Sequence, residues 1–560
     1  MKSFTALAAS VLFSPVSAFG LSPEDLSEPT PPVESRPPAR VISEDHSTRG
    51  AVRASEDQEL LPSLRGIAIA TTTEAALKLQ SQIDQGVRVD GLTDAEQQAL
   101  VKIAAAELGK PVSLRSLDRL TTALEDEFRS RGQRFMRISF PPQEITSGVI
   151  AIRVAAARTG KVAISGKPAF GIGFAAAGFR TRPGALVSDD TVLDDLAWLN
   201  ENPLRQASIA FSDGEVDDTL DLRLRVKSPK VWRAYGGIDN QLSESLGDER
   251  LFLGIQYGDV FHLDHRLTAQ YTSALEFDRL QGFSGIYEIP LPMRHLLSVS
   301  VGYTESESDV VGPLDQSGKF SRVALGYAVP LPRWNGIGHE WRAGMEFRNN
   351  DYLFPNNTSA DVRFFQLETG WNGRRTDRLG STRLDLSLNY SPGHGFFGAE
   401  DADYIALGGS GAEAWIARIE AERILKLGDH GFLTGRLRGQ WSDENLLSSD
   451  QIAVAGAMRV RGFDEVVGYA SNGLVGTLEA QTRPFATSRV GEFSGLVFLD
   501  GAVLDRDAPT DVGELSSTGV GLRWRLNDHL SARMDLGIPL SYPDSEDGDP
   551  MLHFAVSATW

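Results

Sequence analysis

The clearest chemistry in this chain belongs to an arginine and two acids in its C-terminal third. Arg461 lies in the run Arg459-Val460-Arg461-Gly462-Phe463, and Glu479 and Asp500 follow it. A guanidinium keeps its charge at any accessible pH and offers a fork of donors that matches a carboxylate. A buried Arg461 would therefore require an acid, and an Arg461–Asp500 pair, with Glu479 as a second acid, would fix this run in place. The alternative is an exposed Arg461 that only caps a turn.

The residues around Asp500 form one predicted strand. Side chains two positions apart on a strand share a face, so Phe498 and Asp500 point to one side. Val497 and Leu499 point to the other side. If the apolar side meets lipid, the side with the phenyl ring and the carboxylate faces an aqueous interior. The wall of a barrel is the element that would place Asp500 there.

Arg461 itself belongs to the stretch 442–472, which joins two predicted strands. The stretch is too long for a tight hairpin and carries the apolar run Ile452-Ala453-Val454-Ala455. Connections of this length are either disordered or functional. The sequence therefore predicts a long loop that contains Arg461, and a pair with an acid on the barrel wall would fix the position of that loop.

Strict alternation of apolar and polar residues runs from about residue 229 to residue 560. The last strand has an apolar face made of Leu552, Phe554, Val556, Ala558 and Trp560. About sixteen such segments occur, each about ten residues long, which suffices for a tilted strand to cross a bilayer. A soluble sandwich or propeller also alternates. The charged opposite faces and the terminal aromatic residue favour an all-β transmembrane barrel of about 16 antiparallel strands.

Five arginines fall on the polar faces of the predicted strands: Arg436, Arg438, Arg523, Arg525 and Arg533. The alternation places fewer acids than bases near them. This pattern leads to the hypothesis of a channel wall that is partly cationic. The alternative is a solvated barrel interior without a preference for anions, and the sequence does not separate the two.

The N-terminal two-fifths of the chain has a different organisation. Residues 1–18 combine a basic residue, an apolar stretch and Val16-Ser17-Ala18, which is typical of a secretory signal peptide. Residues 19–60 are rich in proline and acidic residues and are predicted to be a linker, within which a plug helix could lie. Residues 61–158 and 159–228 each mix short strands with helical periodicity, which predicts two small α+β modules.

Composition excludes several classes of function. The net charge of −20 argues against nucleic acid as a partner, because phosphate binding needs a clustered basic face. Cysteine is absent, which excludes structural disulfides and cysteine-ligated metals. The chain contains neither a P-loop nor the nucleophile elbow of a hydrolase. We therefore expect no catalytic activity, no cofactor and no metal site.

Two groups of residues resemble a known family. Four residues match the POTRA module found in transporters of two-partner secretion, the TpsB family: Gly132, Pro141, Gln143 and Gly148. The run Val460-Arg461-Gly462-Phe463 resembles the loop tip of that family. Its barrel-wall motif is similar to the residues Gly473, Glu479, Phe498 and Asp500. The family usually has glycine two positions after the aspartate, where this chain has Ala502, so the packing beside Asp500 is expected to differ.

The resemblance to transporters of the haemolysin and filamentous-haemagglutinin type implies a function. Periplasmic POTRA modules would recognise a TpsA-like secreted partner, a large adhesin or cytolysin that is unfolded in the periplasm. A barrel in the cell outer membrane would pass it outward, and the long loop would fold back into that barrel. Outer-membrane lipid and the barrel-assembly machinery would be further partners. Two alternatives stay open: a barrel-assembly or insertase protein of the same superfamily, and a passive porin with an accessory periplasmic domain.

Overall fold

The computed structural model describes residues 40–43, 59–133, 135–165, 178–216, 218–228, 230–307, 317–353, 359–407, 409–465, 467–487, 490–505, 513–542 and 548–560. The predicted signal peptide and most of the predicted linker, with its plug helix, lie outside these residues. None of the described helices is long and apolar enough to cross a membrane. The described chain forms two α+β modules followed by a barrel, so the predicted fold class is confirmed.

The first module follows a short N-terminal strand. Its elements, numbered after the strand β1 (Arg40–Ser43), are β2 (Glu59–Leu61), β3 (Gly66–Ala70), α1 (Thr73–Gln80), β4 (Gly86–Val89), α2 (Asp94–Ala105), β5 (Val112–Ser113), α3 (Leu114–Ser130), β6 (Met136–Ser139) and β7 (Val149–Ala156). The main sheet has the order β4-β3-β7-β6. Strands β4 and β7 run parallel to β3, and β6 runs antiparallel to β7.

Helix α3 covers this sheet with the face that the sequence predicts. Its N-terminus is closed by Ser113 and Ser116, whose hydroxyls and backbone N–H groups bond reciprocally as a capping box. Leu120, Leu124 and Phe128 are buried against the apolar face of β3 and β7. Helix α1 was not predicted, because eight residues are too few to show helical periodicity.

The second module is a four-stranded sheet with one described helix. It consists of β8 (Arg158–Ser165), α4 (Asp189–Leu199), β9 (Gln206–Asp213) and β10 (Thr219–Lys227). The sheet has the order β1-β9-β10-β8, with β1 parallel to β9. The stretch 19–60 is therefore not a linker throughout, since residues 40–43 extend the sheet of the second module.

The two modules share a packed joint. The ring of Phe135, just before β6, lies 4.5 Å from the ring of Phe211 in the core of the second module. The backbone N–H of Ala157 donates to the carbonyl of Phe135 at 2.8 Å. Arg137 pairs with Asp213 across the joint. Apolar packing and an ion pair thus hold the modules at a defined angle.

The remaining strands, together with a short helix α5 (Asp401–Ala406), are β11 (Trp232–Asp239), β12 (Arg250–Val260), β13 (His265–Ala274), β14 (Leu280–Pro290), β15 (Leu296–Ser306), β16 (Ser317–Trp334), β17 (Ile337–Leu353), β18 (Ser359–Thr376), β19 (Gly380–Pro392), β20 (Glu413–Lys426), β21 (Gly431–Ser442), β22 (Ile452–Ala453), β23 (Tyr469–Ala470), β24 (Gly473–Thr482), β25 (Phe485–Thr487), β26 (Gly491–Leu504), β27 (Glu514–Arg525), β28 (Leu530–Ser541) and β29 (Met551–Thr559). Strands β22 and β23 pair only with each other among the described residues.

The other strands close into one antiparallel barrel, in which β29 returns to pair with β11. Strands β24 and β25 both pair with β26 and form one strand of the wall, interrupted at Arg483 and Pro484. The wall therefore has 16 strands, as the alternation predicts. On β26, Val497 is 56% exposed and Leu499 is 52% exposed, whereas Phe498 and Asp500 are buried, so apolar residues face outward.

The second module docks on one end of the barrel through buried charges. The carboxylate of Asp195 on α4 is fully buried and accepts a hydrogen bond of 2.5 Å from Arg294, which lies between β14 and β15. Arg205 donates to Asp264, between β12 and β13, at 2.8 Å. Because buried carboxylates require partners, these contacts fix the module against the barrel mouth.

Candidate functional site

The stretch between β21 and β24, residues 443–472, is the predicted long loop, and we call it the inner loop. Its strands β22 and β23 form a small hairpin. The inner loop packs on the interior of the wall through one apolar cluster: Ile452, Val454, Ala455, Val460, Phe463, Ala470, Val475, Ala502, Leu504 and Leu515. An apolar cluster of this kind gives the loop a defined position inside the barrel.

Arg461 lies at the tip of the inner loop and contacts two wall carboxylates. Its Nε and Nη2 donate to the two oxygens of Asp500 at 2.8 and 3.0 Å, which is a bidentate pair. Its Nη1 donates to Glu479 Oε2 at 3.0 Å. The backbone N–H of Arg461 donates to Asp500 at 3.2 Å. The structure thus brings together the three residues that the sequence singled out, and we call them the tip tether.

The ring of Phe498 completes the surroundings of the guanidinium. The guanidinium carbon of Arg461 lies 3.4 Å from the centre of this ring, which is a stacked cation–π contact. Phe498 shares the inward face of β26 with Asp500, so one strand supplies both the charge and the flat surface. Arginine fits this site because its planar fork can stack and donate to two acids at once.

The next residue of the tip contacts the last strands of the barrel. Gly462 has φ +94°, a left-handed conformation that favours glycine. Its backbone N–H donates to Nε2 of His553 on β29 at 3.0 Å. Gly537 on β28 faces the same backbone, because a Cβ at Gly537 would lie 2.3 Å from the Gly462 nitrogen. Sequence reasoning missed both residues. The inward position of His553 in the last strand was the signal that could have indicated it.

A third acid lies beside the tip tether. Asp535 on β28 is 3.7 Å from Arg461 and 2.8 Å from Arg523. Arg461 and Arg523 therefore contact three carboxylates on three different strands. Removing one partner of a buried ion pair costs about 3–5 kcal/mol locally, because the other charge stays without compensation. The tip of the inner loop is strongly constrained by these charges.

The inner loop also has an internal ion pair. Arg459 donates to Glu465 Oε2 at 3.2 Å, and both side chains are buried. The other carboxylate oxygen of Glu465 accepts from the backbone N–H of Ala457 at 2.8 Å. This pair joins the two sides of the turn that contains Arg461. It therefore stabilises the conformation of the tip, and both of its residues belong to the inner loop.

The five predicted lumen arginines are largely paired with acids. Four of them lie near carboxylates on adjacent strands: Arg436 with Glu422 at 3.0 Å, Arg438 with Glu420 at 3.6 Å, Arg523 with Asp535 at 2.8 Å, and Arg525 with Glu492 at 3.8 Å. Arg533 Nη1 contacts the sulfur of Met458 in the inner loop at 2.7 Å. The expected shortage of acids near these residues is not observed. The five arginines therefore give no support to the hypothesis of a partly cationic channel wall.

The POTRA-like residues of the first module have structural roles. The side chain of Gln143 accepts from the backbone N–H of Ala151 at 2.6 Å and donates to its carbonyl at 2.8 Å, so it closes the loop between β6 and β7. It also donates to the carbonyl of Pro141, which is buried. Gly148 has φ +79° and lies against the side chain of Arg65. Gly132 has φ +84° and ends α3.

Two motif positions lie next to the tip tether. Gly473 begins β24, where a Cβ would come within 3.0 Å of Ile452 in the inner loop. Ala502 is buried in the apolar cluster under the inner loop. The alanine that replaces the usual glycine of the resembled family is therefore accommodated by packing against this loop.

One buried carboxylate of the first module shows a shifted pKa. Hydrogen bonding to the Thr93 hydroxyl lowers the pKa of the Glu96 carboxyl, and a bond from Gln133 acts in the same direction. Gln133 follows Gly132 at the end of α3. The lowered pKa therefore reflects a charged hydrogen bond that ties α3 to the start of α2.

Comparisons with known proteins agree with these features. The family described as "Haemolysin secretion/activation protein ShlB/FhaC/HecB" matches residues 218–524, and the ShlB-type POTRA domain matches residues 84–156. The outer membrane transporter CdiB of Escherichia coli O6:K15:H31 is 24% identical over 475 residues, which are 81% of this chain and 77% of that protein. The heme/hemopexin transporter protein HuxB of Haemophilus influenzae (Rd) is 25% identical over 175 residues, which are 30% and 31% of the two chains.

A solved structure shows the same architecture. CdiB from Escherichia coli superposes with a TM-score of 0.67 at 18% identity, covering 90% of this chain and 92% of that one. At this identity the likeness shows the fold alone. The family match spans more than half of the sequence. The chain therefore belongs to the ShlB/FhaC/HecB family of haemolysin secretion/activation proteins, the outer-membrane transporters of two-partner secretion with periplasmic POTRA domains.

Proposed function

We propose that this transporter binds a TpsA-like exoprotein in the periplasm while it is unfolded, and that the inner loop closes the barrel until the exoprotein passes. The observation that carries the proposal is the buried tip tether, in which Arg461 joins the inner loop to Asp500 and Glu479. A loop held across an interior by three charged groups is positioned to exclude solutes and to be displaced by a larger substrate.

Recognition would use the sheets of the two modules, for which we propose the bounds 61–158 and 159–228, with β1 (Arg40–Ser43) added to the second sheet. Strand β4 lies at the edge of the first sheet and pairs with β3 alone among the described strands. An extended peptide can add to such an edge through main-chain hydrogen bonds that need little sequence. This mode suits a client that has not folded, because its backbone groups are still available.

The docked position of the second module supports a direct transfer to the barrel. Asp195 and Arg205 attach this module to the connections that surround the barrel mouth. A client bound to the modules would therefore be held beside the lumen. The chain has no nucleotide-binding motif, so folding of the client outside the cell would supply the direction of transport.

The interior of the barrel is expected to remain polar during transport. The wall arginines Arg436, Arg438, Arg523 and Arg525 face carboxylates on neighbouring strands. Such a wall offers donors and acceptors in place of water to the backbone of an extended chain. We propose outer-membrane lipid around the barrel and the barrel-assembly machinery, which would insert it, as further partners.

The test compares secretion by the native chain and by an Arg461→Ala variant, with the partner exoprotein co-produced. We expect the barrel to insert normally while secretion falls at least tenfold, because the inner loop loses the attachment to two acids that returns it to a defined position in the lumen after each client. Insertion is measured by the heat-modifiable migration of the folded barrel. The matched control is Arg525→Ala, which removes a half-exposed arginine whose acid lies 3.8 Å away.

The two alternatives give different results in this assay. A passive porin predicts unchanged secretion in the Arg461→Ala variant, together with changed permeability to small solutes. An insertase predicts that depletion of the chain reduces the amount of other barrels in the outer membrane. If the exoprotein reaches the surface without this chain, the proposed transport function is wrong.

A further inference from the structure

We propose that Asp450 is a second positioning residue, which fixes the base of the inner loop to the wall independently of Arg461. Asp450 ends a short 3-10 helix, Ser448–Asp450, in the part of the inner loop that follows β21. Its side chain is buried. We call Asp450 and its two side-chain partners, Arg348 and Gln366, the base tether.

The geometry of the base tether is that of a specific attachment. Asp450 Oδ1 accepts from Arg348 Nη2 at 2.6 Å and from Gln366 Nε2 at 3.1 Å. The carbonyl of Asp450 accepts from Gln440 Nε2 at 2.8 Å, and Arg418 Nη2 lies 3.4 Å from the same oxygen. Side chain and backbone of one residue are thus bound by four wall residues.

The two tethers use different parts of the wall. The base tether contacts β17, β18, β20 and β21, whereas the tip contacts β24, β26, β28 and β29. The base contacts extend to β21 and the tip contacts begin at the adjacent β24, whereas β17 and β28 are separated by seven intervening wall strands. The inner loop therefore has two separate attachments to the wall.

The charge at the base tether cannot be removed without a local cost. Arg348 is buried, lies 2.9 Å from Glu346 and stacks on the ring of Phe364 at 4.7 Å. A neutral residue at position 450 would leave Arg348 with a weaker partner in a site closed to water. Arg461 and its acids are not among these contacts, so the cost falls on the base alone.

A second loop packs over the base. The connection from β19 to β20, which contains α5, places Tyr404 in an apolar cluster with Leu447 of the inner loop. The backbone N–H of Ser410 donates to the carbonyl of Asn445 at 3.0 Å, and the backbone N–H of Asn445 donates to the Ser410 hydroxyl at 2.7 Å. The connection from β19 to β20 thus covers the base of the inner loop. None of these contacts involves the tip.

The consequence for transport rests on the proposed function, in which the inner loop closes the barrel. Release of Arg461 would free the tip, while Asp450 would keep the base attached to the wall. The inner loop would then swing about its base instead of leaving the lumen. The attachment itself can be tested without a client, so its failure is distinguishable from a failure of the transport proposal.

The experiment uses the absence of cysteine from the chain. One reporter is Ser449→Cys, whose native hydroxyl is buried at the base. The other is Ala457→Cys at the tip, where the native residue is 5% exposed. Each is placed in the full chain in lipid vesicles, and the rate of labelling by a membrane-impermeant maleimide is measured.

The expected pattern is selective. Asp450→Asn should raise labelling at the base reporter at least tenfold and leave the tip reporter unchanged, whereas Arg461→Ala should do the reverse. Arg348→Gln should reproduce the effect of Asp450→Asn from the wall side. The matched control is Asp443→Asn, an exposed acid of the same loop that should alter neither rate.

Two outcomes would overturn the proposal. If Asp450→Asn leaves the base reporter as protected as in the native chain, Asp450 does not hold the base. If Arg461→Ala exposes both reporters to the same degree, the inner loop has one attachment and not two. Heat-modifiable migration of each variant shows that the barrel is folded, so a rise in labelling cannot come from global unfolding.

Discussion

Gly537 allows the tip tether to be perturbed without a change of charge. A Cβ at this position would lie 2.3 Å from the nitrogen of Gly462 and 2.6 Å from the carbonyl carbon of Arg461. Carbon atoms do not approach backbone atoms this closely, so a Gly537→Ala variant must displace the tip from β28. Overpacking by one methyl group typically costs about 1–3 kcal/mol.

The cost falls on the equilibrium between the attached and the released tip. The bonds of 2.8 and 3.0 Å between Arg461 and Asp500 would have to lengthen, while the base tether is not affected. A change of about 1–3 kcal/mol corresponds to a shift of about 5- to 150-fold in this equilibrium. We expect the maleimide labelling of the Ala457→Cys reporter to accelerate by that factor, with the Ser449→Cys reporter unchanged.

The control is Gly476→Ala on β24, where a Cβ would meet no atom within 4 Å. It adds the same methyl group to another strand of the wall and should leave both labelling rates as they are. If Gly537→Ala also leaves the tip reporter protected, the close approach of the tip to β28 is not what holds it. The ion pair of Arg461 with Asp500 would then hold the tip without help from this packing.

Three further predictions concern other contacts. His553→Ala should raise labelling of the tip reporter about fivefold, because Gly462 loses a hydrogen bond worth about 1 kcal/mol; an unchanged rate would contradict this. Arg294→Gln should reduce secretion and increase protease cleavage between the second module and the barrel, since Asp195 loses a buried partner; unchanged cleavage would show that the docking lies elsewhere. The lowered pKa of Glu96 means that its charge stabilises the first module above the unfolded pKa of about 4.5. This stabilisation is lost as pH falls through the folded pKa. Glu96→Gln should therefore weaken the acid dependence of hydrogen exchange in that module. An identical pH profile in the variant would show that Glu96 does not stabilise the module.

The barrel could be predicted from sequence because its signal is local. Side chains alternate with a period of two, so each strand shows its lipid face and its interior face without knowledge of its neighbours. The same rule placed Phe498 and Asp500 on one side of β26. Because a buried arginine needs a compensating charge, a carboxylate partner for Arg461 could also be predicted.

The remaining contacts depend on register and on distant pairing. Gly537 and His553 meet the tip only because β28 and β29 close the barrel next to the inner loop. Asp450 stands in a polar run of serines that gives no sign of burial. Strand β1 has four residues, and its partner β9 lies far along the chain, so no local pattern could indicate it. These features require the three-dimensional arrangement.

The three acids around Arg461 have a consequence for transport. Arg461 and Arg523 face three carboxylates, those of Glu479, Asp500 and Asp535. When Arg461 leaves, the acids remain on rigid strands with one cation fewer between them, and like charges in a partly buried site repel one another strongly. The released state of the inner loop is therefore higher in energy because of the wall itself. A loop that must open for each client is returned to its closed position by the same carboxylates that hold it there.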